Sequence, residues 1–319
     1  MGFSPQPNQW QCGPFALKHA LLTLGVFAHE KDISRVAGTH PATGTDDAQL
    51  RRAARKFDCD FPLVRRYNPS KARRELNEHL SQGCPALLCI DEWSHWVAVV
   101  AIEAGQYVVV NSEDDNVVSV RTWSQLRASW VYKQPDELDE HTVHTIYDLY
   151  PVVPRFKVQS PAHFSIARVR YLRRPENRVL AWRWDEYVTD LLQLCRLRTS
   201  RTTRVISMGE FLRRHEELIV GQVDYWHGRV DRRAARRVLA HMHFAADTLG
   251  MVIHEEHERR AIAGITTLLT LWAAYKYGTA PVYKDPPEPT PKVAKGGRTT
   301  RNGKNGKGGK GGKGSKRRR

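Results

Sequence analysis

The sequence predicts an α+β fold at the N-terminal end of the chain, followed by a helical region and a basic tail. Helical patterns occupy the chain up to about position 83, and four short runs rich in β-branched residues come next. Helical patterns return after about position 156. We therefore expect a first domain over 1–136, an all-α domain over 137–279, and a proline-rich spacer with a disordered Lys/Arg/Gly tail over 280–319.

The first helix is predicted to begin at Cys12, in the stretch CGPFALKHALLTLG, and to stop at Gly25. One face of this predicted helix carries the apolar residues Phe15, Ala16, Ala20 and Leu24. Two shorter helices are predicted in KDISRVAG and TDDAQLRRAARKF, with Thr45 as the N-cap of the second. A further helix, SKARRELNEHLSQG, is predicted to end at Gly83.

The strand patterns are PALLCI, HWVAVVAI, QYVVVN and NVVSVRTW, which together predict an antiparallel sheet. The turn EAG between the second and third patterns predicts a hairpin. If those strands pair through this turn, His95 at the start of one and Asn111 at the end of the next lie at the same end of the sheet.

The second region carries helical patterns near 180–197, 208–226, 231–253 and 255–277. They indicate a small helical bundle rich in arginine, preceded by a short strand-like piece, LYPVVPRF. The composition of this bundle assigns it no chemistry.

Charge and cysteine content narrow the class of protein. The net charge is +16, but twelve of the 50 Lys and Arg lie in 292–319, which has no Asp or Glu; the remaining 38 are offset by 34 acidic residues, so the rest of the chain carries only +4.

Five cysteines without a CxxC pair favour free thiols over a disulfide framework, and Cys84 and Cys89 flank a buried strand as core residues. No apolar run approaches the roughly 20 residues of a membrane span and no signal-peptide pattern is visible, so we expect a cytoplasmic protein.

Cys12 is the candidate nucleophile. A helix N-terminus and a neighbouring protonated histidine both stabilise a thiolate, and Cys12 is predicted in a first helical turn. His95, at the mouth of a buried strand, is the candidate base, and Asn111 the candidate group that orients its imidazole. The side-chain amide of Gln6, with the backbone N–H of Cys12, could donate hydrogen bonds to an oxyanion. Taken alone, Cys12 would more often be a buried structural residue; the order Cys, His, Asn along the chain favours catalysis.

These motifs together resemble the papain superfamily of cysteine peptidases, and within it the bacteriocin-leader peptidases that cut after a double glycine and their stand-alone relatives. The resemblance rests on Gln, five residues, then Cys-Gly-Pro, and on the stretches GTDDAQLRRAARKF and LSQGCPALLCIDEWSHWVAVV, and it covers about 3–132. It implies a papain-like fold, a peptide or protein substrate, no cofactor, and hydrolysis through a thioester. Carried over, it makes Cys12 the nucleophile, His95 the base, Asn111 the orienting residue and Gln6 the oxyanion donor.

Several alternatives stay open at the level of sequence. The leader peptidases usually have Asp in the third position, whereas Asn111 is the papain-type residue, and Asp114 or Asp115 could act instead. Gln11 is a second glutamine near Cys12, at the wrong spacing for an oxyanion donor. The same fold hosts transglutaminase-like and acyltransferase chemistry. An inactive peptidase fold that only binds its partner is the alternative from another class.

Two further features of the sequence lie outside the candidate catalytic residues. His241, His243, His254 and His257 form a run in which HEEH is not the zinc-binding HExxH, and polar residues on helical turns explain it at least as well, so no metal is expected. The tail over 292–319 is expected to bind nucleic acid through its phosphates without reading sequence. A merely solubilising role and binding to acidic lipid are the alternatives for this tail.

Overall fold

The computed structural model of the chain describes residues 3–114, 116–136, 143–195 and 204–279. The predicted spacer and tail over 280–319 lie outside these residues, as does Asp115. All described residues belong to one compact unit. Among the helices in these ranges, none is both long and apolar enough to cross a membrane.

Five helices belong to the N-terminal part of the chain. They are α1 (Cys12–Thr23), α2 (Glu30–Ala37), α3 (Asp47–Lys56), α4 (Pro69–Ser81) and α5 (Trp123–Trp130). The N-cap of α3 is Asp46 rather than the predicted Thr45, because the Asp46 carboxylate accepts from the Gln49 backbone N–H (2.7 Å) while the Gln49 side chain accepts from the Asp46 N–H (2.8 Å). The Thr45 hydroxyl instead forms a hydrogen bond with that of Thr39.

The strands of this part form one antiparallel sheet. They are β2 (Val64–Arg66), β3 (Ala86–Ile90), β4 (His95–Glu103), β5 (Gln106–Val110), β6 (Val118–Thr122), β7 (Tyr132–Pro135) and β8 (Val143–Pro151). A separate short pair joins β1 (Cys59–Asp60) to β9 (Val153–Pro154). The order in the sheet is β2-β8-β3-β4-β5-β6, with β7 beside β8. The α+β class predicted from the sequence is confirmed.

The sheet continues past position 136, where the sequence predicts the domain boundary. Strand β8 lies between β2 and β3, with Leu149 opposite Val64 on one side and Leu88 on the other. Since residues 143–151 join β2 and β7 to β3, they pack with the N-terminal part of the chain.

Helices cover both faces of the sheet. Helices α4 and α5 bury one face, through side chains such as Leu76 and Trp130. Helix α1 covers the other, and all twelve of its residues are buried, whereas the sequence pattern marked only one face as apolar. The reason is that α1 is enclosed on every side, by the sheet, by α2 and α3, and by residues from the C-terminal part such as Phe164.

The C-terminal part is mainly helical. It contains α6 (Ile166–Leu172), α7 (Arg178–Trp182), α8 (Trp184–Cys195), α9 (Met208–His227), α10 (Arg232–Thr248) and α11 (Glu258–Tyr277). Besides β8 and β9, which also fall in the range predicted as all-α, the described residues of this part contain a further strand pair, in which β10 (Val205–Ser207) pairs with β11 (Val252–His254). This pairing breaks the predicted helix over 231–253, because the chain turns back at Gly250, whose φ is +60°.

Candidate active site

Cys12 is the first residue of α1, where the helix N-terminus favours a negative charge. Its exposed fraction is 6%. Pro14 follows in the first turn, where a backbone N–H is not needed for the helix. A Cβ at Gly13 would lie 3.0 Å from the Cβ of Thr45 and 3.4 Å from the Trp96 ring. The glycine therefore allows the start of α1 to lie close against the strand that begins with His95.

A tight turn over 91–94 determines where β4 begins. Asp91, Glu92 and Trp93 have φ values of 51°, 56° and 63°, three consecutive left-handed residues without a glycine. The Ser94 hydroxyl donates to the carbonyl oxygen of Asp91 at 2.6 Å, and the Trp93 ring stacks on Tyr132 with centroids 3.8 Å apart. These contacts hold the turn that presents His95 as the first residue of the strand.

The β4–β5 hairpin brings His95 and Asn111 together. Its two-residue loop is Ala104–Gly105, with φ values of 49° and 74°, and Glu103 lies opposite Gln106. The distance from His95 Nε2 to Asn111 Oδ1 is 2.6 Å, and both residues are buried. The Asn111 oxygen also accepts from the backbone N–H of Glu113 at 3.1 Å. Because the Glu113 N–H donates to this atom, it is assigned as the amide oxygen of Asn111. An oxygen can only accept, so His95 Nε2 must carry the proton of the hydrogen bond with it.

The Cys12 thiol and the His95 imidazole interact, and each shifts the pKa of the other. Because Nε2 is bonded to Asn111, Nδ1 is the nitrogen available to the thiol. Burial raises the pKa of Cys12, but the hydrogen bond with His95, the backbone N–H of Trp96 and the positive charge of His95 together lower it by more. The net pKa of the Cys12 thiol therefore lies below the ordinary value for cysteine.

The other four cysteines show the opposite behaviour. Burial raises the pKa of Cys59, Cys89 and Cys195 to about 12, and it also raises the pKa of Cys84. All five thiols are free. Cys12 is thus distinguished from them by its ionisation rather than by exposure, since thiolate character decides reactivity.

The His95 imidazole is shifted in the complementary direction. Burial lowers its pKa, but the hydrogen bonds with Cys12 and Asn111 and the negative charges of Cys12 and Glu113 raise it by more. Glu113 Oε2 lies 3.7 Å from His95 Nδ1, and this side chain is 56% exposed. The two shifts favour a thiolate–imidazolium pair.

Sequence reasoning missed Glu113, which stands two residues after Asn111 in the run SEDD. It considered Asp114 instead, but the Asp114 carboxylate lies 3.6 Å from the Arg121 guanidinium. Asp115 lies outside the described residues. The signal that could have identified Glu113 is its place directly beyond the strand end that carries Asn111.

Gln6 is tied to the residue that follows Asn111. Its backbone N–H donates to the Ser112 carbonyl at 2.8 Å, and the Ser112 hydroxyl donates to Gln6 Oε1 at 2.6 Å. The amide nitrogen of Gln6 therefore faces away from Ser112, as a donor for another group. Sequence reasoning also missed Ser112. The alternative glutamine, Gln11, accepts from the Asn8 side chain at 3.3 Å.

The histidines of the C-terminal part do not converge. His241 Nδ1 lies 3.3 Å from the Tyr187 hydroxyl, and the rings of His254 and His257 have centroids 6.5 Å apart. Within the described ranges, no group of three or more His, Cys, Asp or Glu side chains is arranged to hold a metal ion.

Comparisons with known proteins give similarities at the level of structure. No family model matches the chain. No curated protein matches it either. Three solved structures similar to it are the peptidase domain of Streptococcus ComA, a bifunctional ABC transporter involved in quorum sensing; the double glycine motif protease of an AMS/PCAT transporter in complex with its leader peptide; and the peptidase domain of Streptococcus mutans ComA.

The similarity to these three structures is remote. The first has a TM-score of 0.34 at 14% identity and covers 48% of this chain and 97% of its own. The second has a TM-score of 0.34 at 14% identity and covers 46% of this chain and 89% of its own. The third has a TM-score of 0.30 at 13% identity and covers 46% of this chain and 98% of its own.

Proposed function

We propose that this protein is a cysteine peptidase that hydrolyses peptide bonds with Cys12 as nucleophile. The observation that supports this proposal is the arrangement of three side chains: the Cys12 thiol interacts with the His95 imidazole, and His95 Nε2 lies 2.6 Å from the amide oxygen of Asn111. A nucleophile, a base in contact with it, and a third group that orients the base are the parts that covalent acyl transfer needs.

In the proposed mechanism the Cys12 thiolate attacks the peptide carbonyl carbon and forms a tetrahedral intermediate. The Gln6 side-chain N–H and the Cys12 backbone N–H donate to the oxyanion. The His95 imidazolium gives its Nδ1 proton to the departing amine, which leaves a thioester on Cys12. Neutral His95 then takes a proton from water, the water attacks the thioester, and the acid product leaves with the thiolate restored.

The first test is the relative reactivity of the cysteines. The protein is incubated at neutral pH with iodoacetamide or with E-64, and labelled positions are identified by mass spectrometry. We expect Cys12 to react at least about tenfold faster than Cys84, which is the most exposed of the other four and serves as an internal reference. In a His95→Ala variant this excess rate should disappear while the circular dichroism spectrum is retained.

A Cys12 that reacts no faster than Cys84, or one that ignores the His95 substitution, would contradict the proposal and leave a binding role for this fold. A second experiment distinguishes hydrolysis from acyl transfer. The protein is incubated with a peptide substrate in the presence of an added amine acceptor, and the products are identified. An acid product that persists in the presence of the acceptor supports a peptidase, and a product joined to the amine identifies a transferase.

A further inference from the structure

A cavity of about 350 Å³ is lined by residues of both the N-terminal and the C-terminal part of the chain. This is a size typical of pockets that hold a ligand group. Its walls are largely apolar and include Phe3, Val117, Val169, Leu172, Trp182 and Trp184. The N-terminal part supplies the first two of these side chains, and helices α6–α8 supply the other four.

The cavity adjoins the segments that carry the candidate active site. Pro5, which lines it, directly precedes Gln6. Val117, on another wall, accepts a hydrogen bond through its carbonyl oxygen from the Asn111 backbone N–H at 2.8 Å. The cavity therefore lies beside the two segments that hold Gln6 and Asn111.

Positive charge is concentrated on the segment over 170–178, part of which lines the cavity. Arg173 lines it, and Arg170, Arg174 and Arg178 are exposed on the same segment. Within the described ranges these four guanidinium groups pair with no carboxylate. Trp182 is 81% exposed although it is a large aromatic residue, so it offers an apolar surface beside these charges.

We propose that this cavity, which we term the interdomain subsite, binds a bulky apolar side chain of a peptide whose neighbouring residues are acidic. The apolar walls would bury the side chain, and the arginines would pair with the carboxylates. This inference rests on the proposed function, because it assigns the subsite to the peptide substrate of Cys12. It also gives helices α6–α8 a role, namely substrate selection.

A peptide fits these observations better than a nucleic acid. An apolar cavity suits an aliphatic or aromatic side chain, whereas non-specific nucleic-acid binding needs a basic surface along which the phosphates can run.

The test measures binding to the full chain by fluorescence anisotropy. The probe is a fluorescein-labelled pentapeptide with a central leucine flanked by two glutamates on each side. Two control peptides replace the leucine by alanine or the glutamates by lysine. We expect the alanine peptide to bind about tenfold more weakly, which corresponds to about 1.4 kcal/mol of lost apolar burial, and the lysine peptide to bind more weakly still.

Variants of the protein localise the binding. Trp182→Ala and Arg173→Glu should each weaken binding of the leucine peptide by about fivefold or more, with the Arg173 effect reduced at high salt. Matched controls elsewhere are Tyr275→Ala, at a side chain 84% exposed on α11, and Arg260→Glu, also exposed on α11. These controls should leave the affinity unchanged.

Equal binding of the leucine and alanine peptides, equal effects of the subsite and control variants, or the absence of binding would each overturn the inference. So would a single-stranded oligonucleotide that binds more tightly than the peptide and responds to the same variants, since it would identify a nucleic-acid surface. Cys12 labelling separates the two proposals. If Cys12 is labelled fast and in a His95-dependent way, but the subsite variants do not change peptide binding, only the subsite proposal is wrong. If the subsite variants weaken peptide binding but Cys12 is unreactive, only the peptidase proposal is wrong.

Discussion

The acid–base pair of the site is Cys12 and His95, whose pKa values are shifted in opposite directions. Each shift favours the charged form of its group, so together they widen the pH range in which the thiolate–imidazolium pair is populated. Glu113 contributes to the upper end of this range, because its carboxylate lies 3.7 Å from His95 Nδ1 and stabilises the imidazolium.

We predict that Glu113→Gln narrows the pH range in which the peptidase is active, because it moves the alkaline limit of that range to lower pH. Removal of the negative charge lowers the pKa of His95, so the imidazolium is lost at a lower pH and the alkaline limb of the peptidase profile moves to lower pH. Because the Glu113 side chain is 56% exposed and screened by solvent, the maximal rate should change by less than about threefold. The measurement is kcat/KM against pH with a peptide substrate.

The matched control for this prediction is Asp114→Asn, which removes the same charge one residue further along, beside Arg121. Its profile should coincide with that of the unmodified protein. An alkaline limb that moves equally in both variants would assign the effect to net charge rather than to the contact with His95.

Asn111 is expected to act by holding the imidazole. Asn111→Ala leaves the buried Nε2–H without its acceptor, at a cost of roughly 1–3 kcal/mol, and we expect the alkylation rate of Cys12 near pH 6 to fall about tenfold. Asn111→Asp keeps an oxygen in place and should retain most of that rate. The second-order rate constant for iodoacetamide is the measurement. Equal rates in all three proteins would remove Asn111 from the site.

At the scale of elements, the turn over 91–94 stores backbone strain beside His95. Glu92 has φ of 56° and is exposed, so glycine at this position relieves the left-handed conformation without removing a buried contact. We predict that Glu92→Gly raises the free energy of unfolding by about 0.5–1 kcal/mol, which corresponds to a melting temperature higher by roughly 1–4 °C.

The control for the turn is Glu78→Gly, an exposed position in the middle of α4. There glycine should lower the free energy of unfolding by about 1 kcal/mol. Both variants are compared by thermal unfolding followed by circular dichroism. Destabilisation by Glu92→Gly would show that the turn depends on contacts of the glutamate rather than on its backbone.

At the scale of the whole molecule, one apolar core joins α1 and the sheet to helices α8–α11. Phe3 and Phe164 meet edge to face with centroids 5.3 Å apart, and the Ile166 backbone N–H donates to Glu103 Oε2 at 2.7 Å. Contacts of this kind couple the N-terminal and C-terminal parts, which the sequence predicts as separate domains.

We therefore predict that the two parts unfold together. Thermal unfolding of the full chain, followed by tryptophan fluorescence and by circular dichroism, should give coincident transitions. Phe164→Ala removes a buried aromatic ring and should lower the common melting temperature, at a cost of about 3 kcal/mol, without splitting it. The exposed Tyr275→Ala should cost less than about 0.5 kcal/mol. Two separate transitions would instead show that the parts fold independently.

Much of the N-terminal fold could be predicted from the sequence because its signals are local. The apolar runs of β3, β4 and β5 and the EAG turn determine which strands pair, and the pairing brings His95 and Asn111 to the same end of the sheet. Cys12 at a helix start depends only on the Cys-Gly-Pro motif and the apolar run that follows.

Other features depend on packing that no local pattern encodes. The capping of α3 by Asp46, the place of β8 in the sheet and the burial of α1 on all sides follow from contacts between distant segments. The contact of Glu113 with His95 has the same origin. The sequence by itself determined the α+β order and pointed to Cys12, His95, Asn111 and Gln6 as candidate site residues. Only the tertiary structure decided their hydrogen bonds, their pKa shifts and the cavity beside them, because these depend on distances across the fold rather than along the chain.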